Sequence, residues 1–514
     1  MSKNITPFSI SSPGFWGLNI SDSPIGLNQN FALEANNCVI DKYGRLASRK
    51  GWTKEHTVNS DLGSADIECI GELIQNDGST TTLAAGNNYL FKLSSTTLVT
   101  LTYGGGGVAP TITASNWYFC QLNGIALFWQ RGHDPLIYDP AVSTTTYRRL
   151  SEKSGSSGTV YQCNVAISAY GRIWAADTTS DKQTVVFSDL LTPHIWTGGT
   201  AGNLDLRKVW PDGGDEVVAL AAHNNFLYIF GKYQILIYSG ADDPATMKLS
   251  DSIVGIGCIA RDSAISIGED VWFLSDRGLM SLQRVIQEKS APIINLSKNV
   301  HDFLQTAITT STMSGVKAGY SAVNNFYLLK IPSVNQTLCF DTRGRLQDGS
   351  CRVTFWSGNI TNCFCETLNR NFYIGKPGFI GEYSGYLDDS SSYRMSYFTP
   401  WIDFGNQIQK SILKKILMTM IGGSNQSVIF KWAYDFVQTY FSSTTQSPES
   451  TIVEYNSGLE YNNNVEYGQS LTVNTLGVNG SSCGTVIQFG FETDINGRSV
   501  SIQKVDLFTK EGRF

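Results

Sequence analysis

Few residues of this chain have the types and spacing that catalysis requires. Residues 480–484, Gly-Ser-Ser-Cys-Gly, match the G-x-S-x-G pattern that surrounds a nucleophilic serine. Such a serine needs a strand before it and a helix after it, whereas residues 485–489 alternate like a strand. No histidine follows the motif, so the chain order of a hydrolase triad cannot be completed. We interpret the motif as a glycine-serine turn between strands.

Carboxylates are the next candidates, because glycoside hydrolysis uses two of them beside one bond. Two short stretches, at Asp189 and at Asp276, resemble the Asp-box turn of sialidase-like propellers. Neither has the Asp-box spacing, and that turn stabilises a blade rather than a reaction. We expect Asp177, Asp189 and Asp276 to be solvated turn carboxylates that accept hydrogen bonds from backbone N–H groups.

The metal-binding residue types are scattered. The five histidines are His56, His133, His194, His223 and His301, which form no H-x-x-x-H motif. Of the ten cysteines only Cys363 and Cys365 are close, and C-x-C is not zinc spacing. We expect most of these thiols to be buried and apolar. The sequence therefore predicts no catalytic residue, no cofactor-binding residue and no metal ligand, and we do not expect an enzyme.

The charge of the chain argues against a protein that grips nucleic acid. The formal net charge is −6 and only 16% of the residues are charged. A phosphate-binding surface must be basic, and a local basic cluster, Lys410, Lys414 and Lys415, is typical of the solvated edge of a strand. Residues 1–7 contain no apolar signal region, and no apolar run is long enough for a membrane span. We expect assembly in a cytoplasm.

Any functional site must be held by short aromatic strands, because few segments of the sequence have the periodicity of a helix. A polar turn followed by an aromatic strand occurs seven times along the chain. The repeats begin at Asn87, Asn123, Tyr170, Asn224, Glu269, Asn324 and Asn371. Their starts lie between 36 (87 to 123) and 55 (269 to 324) residues apart, close to the ~40–50 residues of a propeller blade. Radial stacking of blades buries both faces of each hairpin.

The sequence thus predicts an all-β chain with a β-propeller of six or seven blades and an additional β-sandwich; a stack of sandwiches is the alternative. We expect strands in residues 1–65 that pack on the propeller or the sandwich, a propeller over 66–390, and a C-terminal sandwich over 391–514. We expect Trp174, Phe230, Trp272 and Phe326 to pack between blades. Residues 295–307 have helical spacing of apolar residues, and residues 442–450 and 456–467 have the composition of polar linkers.

The N-terminus resembles the opening of many phage tail proteins. The similar stretches are residues 13–19, 23–25, 32–37 and 44–52, with Phe15-Trp16 inside the expected glycine pair. Farther along, the order of segments resembles the nozzle, or tail hub, of short-tailed phages of the lambdoid Salmonella type. Those segments are residues 187–189, 225–231, 235–238, 271–275, 290–293 and 399–404.

This resemblance implies a virion structural protein in a homo-hexameric ring on the tail axis. The ring would contact an adaptor (head-to-tail connector) protein above and a needle, plug or fibre protein below. Double-stranded DNA would pass through its bore during genome ejection without sequence-specific contacts. The alternative is a propeller of a tail tip that binds a receptor or a glycan, or that binds and cleaves a glycan. A mouth of the propeller that clusters aromatic rings and carboxylates would favour that alternative.

Overall fold

The computed structural model describes residues 6–113, 115–268, 270–283, 293–358, 361–403, 410–449 and 473–511. Within them the chain is built almost entirely from strands, and one α-helix, His301–Thr310, lies between two blades. Four 3-10 turns are Leu150–Glu152, Arg261–Ser263, Lys298–Val300 and Met313–Gly315. The all-β class, the propeller and the additional sandwich are confirmed.

Seven antiparallel sheets form the blades of one propeller. The strands of each blade are given from the inner to the outer strand. Blade 1 consists of Ile67–Ile74, Thr80–Gly86, Tyr89–Ser94 and Thr97–Thr100, and blade 2 consists of Tyr118–Leu122, Ile125–Trp129, Leu136–Tyr138 and Thr146–Arg149. Blade 3 consists of Val165–Ala169, Arg172–Ala176, Thr184–Phe187 and Gly202–Asp205, and blade 4 consists of Val217–His223, Phe226–Gly231, Gln234–Ser239 and Lys248–Val254. Thr102–Tyr103 adds a parallel strand to the outer edge of blade 2.

Blades 5 to 7 complete the ring. Blade 5 consists of Ile265–Ile267, Asp270–Ser275, Gly278–Leu282 and Ile293–Asn295. Blade 6 consists of Lys317–Ser321, Phe326–Lys330, Gln336–Arg345 and Cys351–Ser357. Blade 7 consists of Phe364–Glu366, Phe372–Lys376, Phe379–Glu382 and Thr53–Lys54. We call the face at which the inner strands begin the upper face, and the face at which they end the lower face.

The ring closes between blades 7 and 1. Inner strands of successive blades contact one another around the axis, and blade 7 contacts blade 1. Gly375 permits this approach, because a Cβ there would lie 2.5 Å from the carbonyl oxygen of Ile67 and 2.4 Å from the sulfur of Cys363. The outer strand of blade 7, Thr53–Lys54, comes from the N-terminal region and pairs with Phe379–Glu382. Blade 7 therefore joins the two ends of the propeller segment.

The repeats of the sequence mark hairpin turns. Six of the seven lead into the second strand of blades 2 to 7, whereas the Asn87-Asn88 turn leads into the third strand of blade 1. Several of these turns contain asparagine at positive φ, as at Asn88 (65°) and Asn225 (62°). Asparagine tolerates this left-handed backbone, which two-residue hairpins require. In blade 1 the turn after the first strand and the turn after the second strand both join antiparallel strands, so the same signal suits either position.

The aromatic side chains predicted to lie between blades do so. Phe230 of blade 4 contacts Phe273 of blade 5, with ring centroids 4.9 Å apart. Trp272 of blade 5 packs on blade 6, and Phe326 of blade 6 packs on blade 7, at centroid distances of 5.6 and 5.4 Å. Trp174 is fully buried in a cluster shared by blades 3 and 4. Each such ring buries ~150–250 Å² of surface.

Two sheets form the sandwich beside blade 6. The first contains, in order, Val473–Asn479, Ser411–Gly422, Val500–Glu511, Leu46–Ser48 and Cys38–Ile40, with Thr6–Ser11 paired to Val500–Glu511 and Cys483–Gly484 paired to Ser411–Gly422. The second contains Glu34–Asn36, Tyr393–Phe398, Val486–Ile495, Ser427–Tyr434 and Phe441–Gln446, with Ile402–Asp403 paired to Val486–Ile495. Apolar residues from both, such as Met418 and Phe430, share one core.

The second sandwich sheet is continuous with blade 6. Asn36 pairs with Phe355 of the outer blade strand on one side and with Ser396 on the other. The resulting sheet has twelve strands and includes Gly17–Leu18 and Phe31–Ala32. N-terminal strands thus belong to the sandwich, to this junction and to blade 7. The two bodies share backbone hydrogen bonds rather than a flexible linker.

Two sequence predictions need correction. The predicted helix over 295–307 begins only at His301, because Ile293–Asn295 is a blade strand and Leu296 donates its N–H to the carbonyl of Leu279. The predicted linker over 442–450 is largely the strand Phe441–Gln446, which pairs with Ser427–Tyr434. Its threonines are β-branched and suit a strand once a partner is available. The predicted linker over 456–467 lies outside the described residues.

A fully buried arginine holds the junction of the two bodies. Arg49 Nη1 and Nη2 donate to the two carboxylate oxygens of Asp388 at 2.8 and 2.7 Å. Its Nε donates to Asn37 Oδ1 at 2.9 Å, and its guanidinium lies 4.0 Å from the ring centroid of Tyr393. These partners come from the N-terminal strands, the chain after blade 7, and the sandwich.

Replacing Arg49 with methionine should lower the free energy of unfolding by roughly 3–5 kcal/mol, because Asp388 would remain largely buried without a counter-charge. Chemical denaturation measures the loss. The matched control is Arg394→Met, since Arg394 is half exposed and pairs with Glu492 and Asp494 at the surface; its cost should be about 1 kcal/mol or less. Equal costs for the two variants would contradict the assigned role of Arg49.

The strand that closes blade 7 should respond to pH through Glu55. Burial, and then the charge of Glu382, raise the pKa of Glu55 from 4.5 to about 7. The folded state therefore holds a proton that the unfolded chain releases, and stability falls as pH rises from 4.5 to about 7. Glu55→Gln should raise the melting temperature at about pH 8 and change it little at about pH 4. The control is Glu216→Gln, at an exposed position; its effect on the melting temperature should be the same at both pH values.

Candidate functional site

The carboxylates singled out in the sequence do not share a site. Asp189 caps a lower-face turn, where its Oδ1 accepts the N–H of Thr200 at 2.9 Å. Asp276 is exposed in an upper-face turn of blade 5. Asp177 differs from the prediction, since it is buried and pairs with Arg131 and Asn164 at the upper end of blade 3. Asp177 is a structural ion-pair partner rather than a solvated turn carboxylate.

The G-x-S-x-G motif lies in a turn that leads from one strand to another. Ser482 has φ of 68°, and the chain continues into Cys483–Gly484 and then Val486–Ile495. The carbonyl of Ser481 accepts hydrogen bonds from Trp432 Nε1 and Tyr434 Oη at 3.2 and 2.9 Å. The motif thus has strand where a nucleophile elbow has helix.

Eight of the ten cysteines are buried, as predicted, and the remaining two are Cys365 and Cys483. Among the described residues no group of histidine, cysteine and carboxylate side chains has the arrangement of a metal site. None of the described helices is long and apolar enough to span a membrane.

A cavity of about 210 Å³ lies at the upper mouth of the propeller. It is lined by the first residues of the inner strands of blades 1, 2, 5, 6 and 7. The polar and charged side chains of this lining are Glu68, Tyr118, Asp262 and Lys317. The inner strands run side by side around the axis, so their first residues converge although they are far apart in sequence. We call this cavity the mouth pocket.

Aromatic rings from blades 2 and 7 line the mouth pocket. Phe119 of blade 2 lies across Gly71 of blade 1, where an added Cβ would come within 2.2 Å of the ring. Phe364 of blade 7 lies across Gly319 of blade 6, with its Cβ 2.3 Å and its ring atom Cγ 2.5 Å from the ideal Cβ position. Both rings are half-buried. Any side chain at Gly71 or Gly319 would displace these rings.

The short helix Arg261–Ser263 connects blades across the axis. Arg261 Nη1 donates to Asn116 Oδ1 at 3.1 Å and to the carbonyl of Asn164 at 2.9 Å, before blades 2 and 3. Its Nη2 donates to the carbonyl of Trp117 at 3.0 Å. The hydroxyl of Tyr327, in blade 6, donates to the carbonyl of Ser263 at 2.8 Å. Four blades therefore meet at this one turn.

Asp262 lies between two buried cations. Its carboxylate accepts from Arg261 Nε at 2.6 Å and from the ammonium of Lys317. Burial alone would raise the pKa of Asp262, but the charges of Arg261 and Lys317 outweigh it and lower the pKa to about 2. The carboxylate is thus ionised throughout the neutral range.

Glu68 differs from Asp262 because no described residue donates a hydrogen bond to its carboxylate. Burial raises the pKa of Glu68, and the nearby charge of Lys317 opposes that shift. In blade 6, burial lowers the pKa of Lys330, whose ammonium donates to Asn362 Oδ1 at 2.6 Å. A polar ligand could supply the hydrogen bonds that Glu68 lacks.

A second cavity, of about 480 Å³, lies on the lower face between blades 1, 2 and 3. Its charged side chains are engaged: Lys153 Nζ donates to Asp139 Oδ2 at 2.6 Å, and Asp77 caps its own turn through the N–H of Ser79. The mouth pocket, by contrast, contains a carboxylate with unused hydrogen-bonding capacity.

Sequence reasoning missed the mouth pocket. Glu68, Asp262 and Lys317 belong to no local motif, and their nearest spacing along the chain is 55 residues (262 to 317). The available signal is positional, because each lies just before or at the start of an inner strand. This positional signal can be recognised only when the boundaries of the blades are known.

No protein-family model matches the chain, and no curated protein matches it. Among solved structures, it is similar to the extracellular domain of a hybrid two-component system from B. thetaiotaomicron, at 12% identity and a TM-score of 0.39, over 64% of this chain and 41% of that one. It is also similar to the extracellular domain of a one-component system from B. thetaiotaomicron, at 10% identity and a TM-score of 0.40, over 82% and 59%.

The WD40 β-propeller domain of Doa1 matches at 9% identity and a TM-score of 0.38, over 65% of this chain and 96% of that one. None of these likenesses is close enough to carry a functional inference.

Asp262→Asn should destabilise the propeller by roughly 3–5 kcal/mol, because Arg261 and Lys317 would remain buried without their shared counter-charge. The stabilising contribution of Asp262 is present above pH 3.8, the ordinary carboxyl pKa, and is lost as pH falls toward about 2. Denaturation curves measure both effects. The control is Asp205→Asn, which removes an exposed partner of Arg207 and should change stability little. If Asp262→Asn unfolds at the same denaturant concentration as the wild type, the role assigned to Asp262 is wrong.

Proposed function

We propose that the chain is a structural subunit of a phage tail nozzle. Six copies would form a ring on the tail axis that joins the adaptor ring to a distal needle, plug or fibre and surrounds the path of the ejected genome. The resemblance of the order of its segments to that of the nozzle family motivates this proposal. The observation that carries it is the twelve-stranded sheet, which makes the propeller and sandwich one rigid, asymmetric body.

A rigid body of this kind suits a load-bearing ring. The sandwich extends sideways from blade 6, and hydrogen-bonded strands rather than a linker transmit force between the two parts. Arg49 adds a buried ion pair at the same junction. A subunit that hinged at this point would let the ring deform under the pressure of packaged DNA.

The geometry also limits where DNA could pass. Side chains from five blades leave a cavity of only about 210 Å³ at the upper mouth of the propeller, whereas the major groove of B-DNA alone is ~12 Å wide. The path for DNA must therefore lie between subunits and not through a propeller. The net charge of −6 per chain makes a ring acidic, which lets DNA slide instead of adhering.

The sandwich offers a surface for contacts between subunits. Ile25 bridges to Trp401, whose ring lies 5.1 Å from that of Phe436. Ile25 is 61% exposed and Phe436 is 48% exposed, with Val437 beside them. Exposed apolar clusters of this kind are typical of interaction surfaces. In the proposed ring a neighbouring copy covers this cluster.

Electron cryo-microscopy of intact particles tests the proposal. We expect six copies of the chain in one ring on the tail axis, between the adaptor and the distal tail protein, with Ile25 and Phe436 at subunit contacts. In particles assembled with Ile25→Asp or Phe436→Asp, we expect fewer complete tails, whereas Tyr233→Asp, at an exposed propeller position, should assemble normally. A peripheral trimeric fibre, or absence of the chain from the tail axis, would refute the proposal.

A further inference from the structure

We propose that the mouth pocket is a binding site for one neutral sugar ring, contacted by Glu68, Lys317 and Tyr118. This function goes beyond the structural role proposed above and does not depend on it, because all of the site lies within a single chain. It also corresponds to the arrangement that the receptor-binding alternative predicts: carboxylates and aromatic rings together at one mouth of the propeller.

The hydrogen-bonding groups of the pocket are only partly used. Glu68 has no donor among the described residues, and the hydroxyl of Tyr118 has no described partner either. An ammonium group donates more than one hydrogen bond, and Lys317 uses one of its own on Asp262. The cavity therefore contains both a free acceptor and free donors. A ligand hydroxyl can both donate and accept, so a polyol satisfies both kinds of group.

The charges around the pocket favour a neutral ligand. Glu68, Asp262 and Lys317 line the pocket, and the charges of Asp66, Arg261 and Lys330 act on these groups from nearby. The formal charges of these six groups sum to zero. Lys317 would repel a cationic ligand and Glu68 would repel an anionic ligand, and either repulsion costs free energy in a partly desolvated site. A ligand without charge meets neither penalty.

The size and walls of the pocket fit a single ring. Its volume of about 210 Å³ equals that of about seven liquid water molecules, below the ~300–1,000 Å³ of pockets for drug-sized ligands. Phe119 and Phe364 present half-buried aromatic surface, against which the C–H face of a pyranose can pack. The same combination of an apolar wall with a few directed polar groups is general in small-molecule sites.

Ligand-observed NMR and calorimetry on the full chain test this assignment. The probes are glucose, galactose, rhamnose and N-acetylglucosamine, with lysine as the cationic and N-acetylneuraminate as the anionic comparison. We expect at least one neutral sugar to bind at concentrations of ~1 mM or above, and to bind more tightly than either charged probe.

Two substitutions place the binding in the pocket. Glu68→Gln should weaken binding of that sugar about tenfold, because a charged hydrogen bond becomes a neutral one. Tyr118→Phe removes only a hydroxyl and should weaken binding about threefold. The controls Glu216→Gln and Tyr233→Phe change matching residue types at exposed positions elsewhere and should bind as the wild type does. Melting curves confirm that all four variants are folded.

Three results would overturn the assignment. The first is that none of the neutral sugars binds the folded chain. The second is that a sugar binds but neither Glu68→Gln nor Tyr118→Phe weakens it, which would place the site elsewhere. The third is that lysine or N-acetylneuraminate binds more tightly than every neutral sugar. None of these results bears on whether the chain forms a ring in the tail.

Discussion

The guanidinium of Arg261 crosses the axis of the propeller and hydrogen-bonds to the residues before blades 2 and 3, while Asp262 beside it binds Lys317 of blade 6. A buried arginine is tolerated only when its charge is compensated and its N–H groups have acceptors. Both conditions are met here by residues that converge only if the ring is closed. The ion pair and the closed ring therefore depend on each other, and Asp262 of this turn forms part of the wall of the mouth pocket.

A second buried arginine has the same role at the junction between bodies. Arg49 is held by Asp388, Asn37 and Tyr393, each from a different part of the chain. Backbone pairing of Glu34–Asn36 with blade 6 and the sandwich then fixes the orientation of the two bodies. The N-terminal region thus supplies strands to both bodies and to the closure of blade 7. A protein built in this way responds to load as one body, as the proposed nozzle requires.

The two proposed functions use different surfaces and do not compete. Subunit contacts are assigned to the sandwich around Trp401, and the sugar site is assigned to the upper mouth of the propeller. Phe119 and Phe364 line the mouth pocket, whose volume of about 210 Å³ leaves no room for a duplex. A ring of such subunits could surround DNA between them and still present the upper faces of its propellers to other molecules.

The sequence by itself determined the all-β class, the propeller with a sandwich, and the aromatic residues between blades. These features follow from local signals, namely asparagine-rich hairpin turns, aromatic strands and a blade-length period. It identified the interior of the propeller through Trp174, Phe230, Trp272 and Phe326. The helix start at His301 and the strand Phe441–Gln446 were misjudged, because pairing with distant strands overrode local composition.

Only the tertiary structure decided the blade number, the partners of Asp177 and the mouth pocket. Seven blades become countable when Thr53–Lys54 is seen to complete the last one, far from it in sequence. Glu68, Asp262 and Lys317 lie too far apart along the chain to form a sequence motif. They meet because a closed ring brings the first residues of distant strands to one axis, and that closure is a property of the whole chain rather than of any segment.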